Sequence, residues 1–197
     1  MTAGETLPDP APFCAARLEG VFADCFFGSE HTLLIGGATE PLYLPAGDDD
    51  QRGVSLVHRL YYREDYFASA LHEVAHWCIA GKERRRQRDF GYWYAPDGRN
   101  LELQAAFQAV EVKPQALEWY FSQACGYAFR ASLDNIEGGE QARRDEQRFI
   151  RDVVLRTEEL RRVGLPDRAR RFFDALVAEF NTPVRIETLK FTAPGSI

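Results

Sequence analysis

The stretch ALHEVAHWCIAG, residues 70–81, constrains this chain most, because it places three ionisable side chains in an apolar segment. His72, Glu73 and His76 are surrounded by alanine, leucine, valine, tryptophan and isoleucine, which is the composition of a helix interior. Burying such groups without partners costs on the order of several kcal/mol. The fold must therefore supply them with hydrogen-bond partners or with an ion.

The spacing of these residues matches the HExxH metal-binding pattern. On a helix, His72 and His76 project from one face one turn apart, so both imidazoles can bind the same ion. Glu73 points off that axis but can reach a water beside the ion. The alternative is a pair of core histidines satisfied by backbone carbonyls and a glutamate. Coordination removes the desolvation cost and uses neutral imidazole, which favours the metal site.

A third ligand is needed, and the extended pattern HExxHxxGxxH is absent, since no histidine follows Gly81. His58, which lies upstream in a predicted strand, is a possible ligand or a residue that supports one. Downstream, polar residues at alternating four- and three-residue steps form one helical stripe: Gln104, Gln108, Glu111, Gln115 and Glu118. A solvated helix face commonly explains such a stripe, but this one is rich in carboxamides, and Pro114 loosens the backbone beside it. We predict Glu111 as the carboxylate ligand, with Glu118 as the alternative.

Two imidazoles and one carboxylate leave coordination positions open, which is typical of a site that does chemistry. With zinc, Glu73 would be the general base of a metallopeptidase. With a redox metal such as Fe(II), dioxygen could enter and a substrate carbon could be hydroxylated. A third hypothesis is a metal-stabilised adaptor without turnover. The ligand spacing leaves these alternatives open.

The hydrophobic pattern predicts a helix-rich α+β fold in which a small β-sheet packs with helices, as one domain over residues 1–197. Residues 1–12 and about 187–197 are predicted to be loose. Helices are predicted over about 13–27, 66–81, 101–126, 140–163 and 166–180, and strands over 32–35, 42–44 and 54–62.

Several boundary residues carry their own predictions. Asp65 is expected to cap the second helix and Gly81 to end it. Pro114 is expected to kink the third helix or to break it with a restart, because proline disfavours helical geometry at the preceding residue. The segment VRIETLKFTA, residues 184–193, is expected to add a late strand.

The composition limits the partners and the cellular compartment that we expect for this protein. The net charge of −6 argues against a nucleic-acid partner. No apolar run has membrane-spanning length, and the N-terminus lacks a basic segment followed by an apolar one. The four cysteines are scattered without a CxxC pair, as expected for reduced, buried side chains. We therefore expect a cytoplasmic protein that does not bind a membrane.

Three stretches of the sequence resemble the bacterial elongation factor P hydroxylase family. They are DYFASALHEVAHWCIAGKERRRQRDFGYWYAPDGR (65–99), VEVKPQALEWYF (110–121) and SLDNIEG (132–138). These ordered matches are far more specific than HExxH alone, and they lie within about residues 54–140. The resemblance implies an oxygenase that hydroxylates the β-lysylated lysine of elongation factor P, as the last step of its modification. It also implies a zincin-like metal-binding helix rather than a jelly roll.

The resemblance further implies the members of the site. The metal ligands map onto His72, His76 and Glu111, holding one divalent ion, expected to be Fe(II), with dioxygen as co-substrate. Zinc or another metal can occupy such a site in purified protein. Glu73 is expected to position a water or the ammonium of the substrate.

A long cationic side chain calls for a groove of carboxylates and aromatic walls. The candidates are Tyr92, Trp93, Tyr94, Asp97, Glu118, Trp119, Asp134 and Asn135. The alternative is that the aromatic residues pack as a core cover and that the other residues form ordinary turns.

A basic run directly follows the metal-binding helix. Arg84, Arg85 and Arg86 are predicted to form a docking patch for an acidic partner protein, elongation factor P in this hypothesis. The alternative is a solvated surface whose cations complement the C-terminus of a helix.

Overall fold

A computed structural model describes residues 12–49, 53–89, 101–132 and 140–192, with backbone alone for residues 101–107 and 142. The α-helices of this described part are α1 (Ala15–Glu30), α2 (Phe67–Ile79), α3 (Leu101–Cys125), α4 (Glu140–Val163) and α5 (Asp167–Glu179). Its strands are β1 (Thr32–Ala38), β2 (Leu42–Leu44) and β3 (His58–Arg63). Short 3₁₀-helices cover Arg84–Arg86 and Ile186–Thr188. The predicted helix-rich α+β fold class is confirmed.

The three strands form a mixed sheet in the order β1-β3-β2. β1 runs parallel to β3, with Thr32 opposite His58, whereas β2 runs antiparallel to β3. The predicted strand over 54–62 is wrong in its first four residues, which are not in a strand. Leu56 is 91% exposed, so an extended conformation there would gain no stability from packing against the core.

Helix α2 packs beside β3 and is buried on most of its surface. Asp65 does not cap it; the N-cap residue is Tyr66, which makes no side-chain capping bond. The helix ends at Ile79, before Gly81, and its C-cap residue Ala80 has extended backbone geometry. Its last carbonyls are instead served by Arg168 of α5, whose Nη2 donates to the carbonyls of Trp77 (3.0 Å), Cys78 (3.1 Å) and Ala80. A side chain distant in sequence thus replaces the expected glycine cap.

Helix α3 continues through Pro114 without the predicted break. Proline cannot donate to the carbonyl one turn earlier, which belongs to Val110. Val110 lies at an exposed position, so water can serve that carbonyl. Beyond the proline the helix is almost fully buried, and this packing holds it together.

The C-terminal helices follow the sequence pattern closely. Gly164 has φ +93° and its amide donates to the Leu160 carbonyl, so it ends α4 in the way glycine permits. Pro166 is the N-cap residue of α5. The late strand predicted over 184–193 is wrong: its residues up to 192 form no strand, and a short 3₁₀-helix lies within them.

The described helices and the sheet share one hydrophobic core. Phe22 and Phe26 of α1 pack against Trp77 of α2, with ring centroids 5.0 and 4.7 Å apart. Leu189 and Phe191 are also buried, so the chain is not loose from residue 187 as expected. The thiols of all four cysteines are free. Within the described ranges, no helix has both the length and the apolar character needed to cross a bilayer.

Candidate metal centre

The two histidines of the HEVAH segment converge on one point beside α2. His72 and His76 lie one turn apart, with ring centroids 4.7 Å apart and ring planes at 70°. Their Nε2 atoms are 3.0 Å apart. Two imidazole nitrogens at this separation need either a shared proton or a shared cation between them.

Glu111 of α3 meets these histidines from across the α2–α3 contact. Its Oε2 lies 3.4 Å from His72 Nε2, and its Oε1 lies 3.3 Å from His76 Nε2. One ligand atom from each of the three residues falls within 4.8 Å of the others, so the group could hold a metal ion. The predicted ligands therefore meet, and we call these three residues the ligand cluster.

The polar stripe of α3 faces inward. Its members with described side chains are all buried: Gln108, Glu111, Gln115 and Glu118. The alternative of a solvated helix face is therefore wrong for these residues. The two carboxylates are compensated by the imidazoles of α2, and the Gln115 amide is compensated by the backbone of Ser132.

Glu118 lies one step further along this stripe and approaches His72 from its other side. Its Oε2 is 2.8 Å from His72 Nδ1. That leaves the Nε2 atom directed at the ligand cluster, and it fixes the orientation of the ring. Glu118, the alternative ligand in the sequence, thus lies behind His72 rather than among the converging atoms.

The site carries an excess of buried negative charge. Burial acts to lower the pKa of His72, but the Glu118 carboxylate and the charges of Glu111 and Glu73 outweigh it and raise that pKa to about 10. Burial raises the pKa of Glu73, against the pull of both imidazoles. For Glu111, burial is outweighed by the hydrogen bond and charge of His76, which hold its pKa below the usual value. Three carboxylates around two imidazoles favour a bound cation.

Glu73 is buried next to the ligand cluster and borders a small cavity. The cavity has a volume of about 40 Å³, and Glu73, His76, Tyr43 and Leu60 are among its lining residues. A space of this size, lined by apolar side chains together with Glu73 and His76, holds a few water molecules. Glu73 can therefore exchange hydrogen bonds with water on the sheet side of the site.

His58, a possible ligand in the sequence, is engaged elsewhere. Its Nδ1 accepts a hydrogen bond from the Ala46 amide at 2.9 Å, and its ring stacks on Tyr43. It is absent from the group of converging ligand atoms found among the described residues.

The predicted substrate-binding residues divide into two sets. Trp119 is 5% exposed and packs against Phe129 and Phe191, with centroids 4.7 and 5.3 Å apart, so its environment is that of a core residue. Glu118 faces His72. The remaining candidates lie outside the described residues: Tyr92, Trp93, Tyr94, Asp97, Asp134 and Asn135.

The three arginines of the predicted docking patch differ in exposure. Arg84 pairs with Asp89, and Arg85 pairs with Glu30 while its guanidinium lies 5.7 Å from the Trp77 ring. Arg86 is 72% exposed and pairs with its neighbour Glu83. Much of the predicted patch charge is thus used within the protein, and Arg86 is its most accessible member.

One residue near this site was missed by the sequence analysis. Arg168 of α5 holds the end of α2 and lies over Trp77, with its guanidinium carbon 4.6 Å from the ring centroid. Nothing in the charged sequence of α5 distinguishes it from Arg170, which pairs with Asp174 on the surface. Only its position opposite the end of another helix gives it this role.

Comparison with known proteins identifies one family. The elongation factor P lysine hydroxylase of Haemophilus influenzae is 44% identical over 171 residues, which cover 87% of this chain and 92% of that protein. The sequence profile of the EpmC family, elongation factor P hydroxylase, matches residues 21–191. The match spans α2 and α3, the two helices that carry the predicted ligands, along their full length. The chain therefore belongs to the elongation factor P hydroxylase family.

Proposed function

We propose that this protein is a metal-dependent oxygenase that hydroxylates the β-lysylated lysine side chain of elongation factor P, the last step in the modification of that factor. One observation carries the proposal: two imidazole nitrogens and a carboxylate converge on one point in a member of this hydroxylase family. Because the proposed substrate is a translation factor, the reaction would take place in the cytoplasm.

The separations of the ligand atoms suit a metal ion. Nitrogen and oxygen ligands about 2.0–2.2 Å from an ion lie roughly 3.0–3.5 Å from one another in octahedral or tetrahedral arrangements. The two Nε2 atoms are 3.0 Å apart, and each lies 3.3 to 3.4 Å from a different oxygen of the Glu111 carboxylate. Three protein ligands leave further positions for small molecules, as a catalytic site requires.

Each residue of the site has a definable task in this proposal. His72, His76 and Glu111 would hold Fe(II), which when bound would supply the activation of dioxygen for hydroxylation of a C–H bond. Glu118 accepts the Nδ1 proton of His72 and keeps its Nε2 free for the ion. Glu73, beside the small cavity, would position a water or the substrate ammonium.

The substrate chemistry also fits the charge of the site. A lysyl-lysine side chain carries ammonium groups, and the buried carboxylates around the ligand cluster attract cations. We propose that Tyr92, Trp93, Tyr94, Asp97, Asp134 and Asn135 contribute walls and carboxylates for this side chain. Aromatic faces and carboxylates are the groups that recognise ammonium.

A zinc metallopeptidase would use the same ligands, with Glu73 as its base. Membership of the hydroxylase family favours the oxygenase over this alternative. A metal-stabilised adaptor would need no open coordination positions.

One experiment separates these functions. Purified protein loaded with Fe(II) is incubated in air with lysylated elongation factor P and a two-electron reductant, and the intact mass of the substrate is measured. Hydroxylation adds one oxygen atom to the substrate, while the second oxygen atom leaves as water with two electrons and two protons. Chain cleavage would indicate the peptidase, and unchanged substrate with metal-loaded enzyme would contradict both enzymes. An anaerobic incubation is the matched control.

A further inference from the structure

The buried amide of Gln115 lies at a junction between the proposed metal ligand Glu111 and the chain that follows α3. Gln115 is 2% exposed, one helical turn from Glu111 on the same face of α3. The two side chains are both buried, and the Gln115 amide is among the groups that lower the pKa of the Glu111 carboxylate. An amide N–H directed at a carboxylate favours the charged, metal-binding form.

The same amide also binds both backbone groups of one residue. Gln115 Nε2 donates to the Ser132 carbonyl at 2.7 Å, and the Ser132 amide donates to Gln115 Oε1 at 3.0 Å. These two bonds leave the amide no freedom to flip or rotate. They use one Nε2 hydrogen and the Oε1 atom, so the second Nε2 hydrogen is available to the neighbouring Glu111 carboxylate.

The chain reaches Ser132 by running back along α3. The Tyr127 amide donates to the Ser122 carbonyl near the end of the helix, and Phe129 then stacks on Trp119. Ser132 arrives beside Gln115, one turn from the ligand. The returning segment is therefore attached to α3 at its metal-site end through this one buried amide.

We infer that Gln115 is a positioning residue that couples the Glu111 ligand to Ser132, so that metal binding and the placement of the returning chain stabilise each other. The inference rests on the proposed metal site. A coupling of this kind is reciprocal: an ion that orders Glu111 must also order Ser132, and loosening Ser132 must weaken the ion.

Metal binding by a Gln115→Met variant tests the inference. Methionine keeps the length and volume but removes both the donor and the acceptor. With Co(II) as a coloured probe, we expect affinity to fall about 10- to 100-fold, the range for loss of a group that orients a ligand, with an altered visible spectrum.

The matched control is Tyr120→Phe, which also removes a buried hydrogen bond of α3, to the Thr157 carbonyl at 2.9 Å. It should lower stability while leaving Co(II) affinity and spectrum unchanged. If both variants bind Co(II) as the wild type does, Gln115 has only a structural role and the inference is overturned. If the wild-type protein binds no Co(II), the proposed metal site itself is wrong.

A measurement on the unaltered protein makes the test independent of whether the variant folds. Addition of Co(II) should slow hydrogen exchange at the Ser132 amide, with little effect at the Tyr127 amide further along the same segment. Equal exchange of the Ser132 amide with and without the ion would contradict the coupling.

Discussion

Helix α2 contacts clusters of partly or fully buried charged residues at two places, and the two clusters differ in how their charges are compensated. At its C-terminus, the arginine clamp, which we define as Arg168, Arg85 and Glu30, brings cations to helix carbonyls and to a carboxylate. On its face, the ligand cluster brings carboxylates to imidazoles. The clamp places opposite charges in contact and needs no added ion. The ligand cluster and its neighbours Glu73 and Glu118 place three carboxylates around two imidazoles, so negative charge is in excess there.

The difference shows how a cluster that stabilises the fold, such as the clamp, can be distinguished from a cluster that can bind an ion. In the clamp, donors meet acceptors: Arg168 Nη2 lies within hydrogen-bond distance of three carbonyl oxygens. In the ligand cluster, the converging atoms are nitrogens and oxygens that all present lone pairs to one point when the imidazoles are neutral. Convergent acceptors in a buried position are the arrangement that a cation completes.

Removing a proposed metal ligand should have the largest effect, because the ligand cluster, unlike the clamp, is expected to need a bound ion. We expect His72→Ala to weaken Fe(II) or Co(II) binding by more than about 100-fold, beyond the range for groups that merely orient ligands. Hydroxylation should fall below detection. Equilibrium metal titration measures the affinity.

The matched control is His58→Ala, since His58 binds the Ala46 amide and lies outside the ligand cluster. It should leave metal affinity unchanged. Equal losses in the two variants would contradict the assignment of the site.

Removing the clamp should affect folding instead. We expect Arg168→Leu to lower the free energy of unfolding by about 2–4 kcal/mol, because it leaves buried carbonyls at the end of α2 without a donor. Arg170→Leu, on the same helix, loses only a surface pair and should cost less than about 0.5 kcal/mol. Urea denaturation of the metal-free proteins measures both. Coincident midpoints would show that the clamp carries no stability.

Neutralising Glu118 tests whether a residue that orients His72, without contacting the ion, also affects metal affinity. We expect Glu118→Gln to weaken metal binding about 10- to 100-fold, because the orienting carboxylate at His72 Nδ1 is replaced by a neutral amide. Glu83→Gln, an exposed carboxylate paired with Arg86, should have no effect. Competition with a chelator of known affinity measures the difference. A wild-type affinity in the Glu118 variant would argue that the ring of His72 needs no such partner.

The raised pKa of His72 predicts a proton effect on metal binding. With a pKa of about 10 in the folded, metal-free protein, His72 is protonated near pH 8, and the ion must displace that proton. Metal addition should therefore release about one proton per ion near pH 8 and fewer above pH 10. An indicator dye in weakly buffered solution measures this release.

The raised pKa of His72 also determines whether the metal-free protein gains or loses stability as the pH rises. A pKa raised on folding stabilises the metal-free protein below the ordinary histidine pKa of about 6.5, and this stabilisation is lost as pH rises towards 10. Metal addition without proton release at pH 8 would contradict the protonated state of His72.

The smallest effect is expected at the surface. Arg86→Glu should slow association with elongation factor P by about twofold or less at low salt, because one exposed charge contributes little and salt screens it. Charge reversal at Arg84 or Arg85 would instead break internal ion pairs and confuse docking with folding. Stopped-flow association at two salt concentrations tests the docking prediction. A large change for Arg86→Glu with metal content unaltered would raise the importance of the patch.

Local patterns predicted the elements well wherever one residue acted on its own neighbours. Helix α4 has its predicted bounds of 140–163, because Gly164 ends it locally, and the helical spacing of α5 is visible in its own sequence. Prediction was poorer where the outcome depended on distant partners. Val54 and Leu56 look like strand residues but are exposed, and Leu189 and Phe191 look like a tail but fill the core.

The candidate site shows the same division. His72 and His76 were identified from their spacing, because a four-residue step on a helix already places two rings together. Glu111 required a judgement between equally spaced polar residues of one stripe. The positions of Glu118 behind His72 and of Arg168 at the end of α2 carried no local signal.

The sequence by itself determined the HEVAH helix, its need for compensation of buried polar groups, and the membership of a stripe that could supply it. Only the tertiary structure decided which carboxylate of that stripe meets the Nε2 atoms and which one lies behind the ring. The physical reason is that helical periodicity defines a face to within a turn, whereas the distance between two groups on different helices depends on how those helices pack. A ligand and the residue that orients it differ by only that placement.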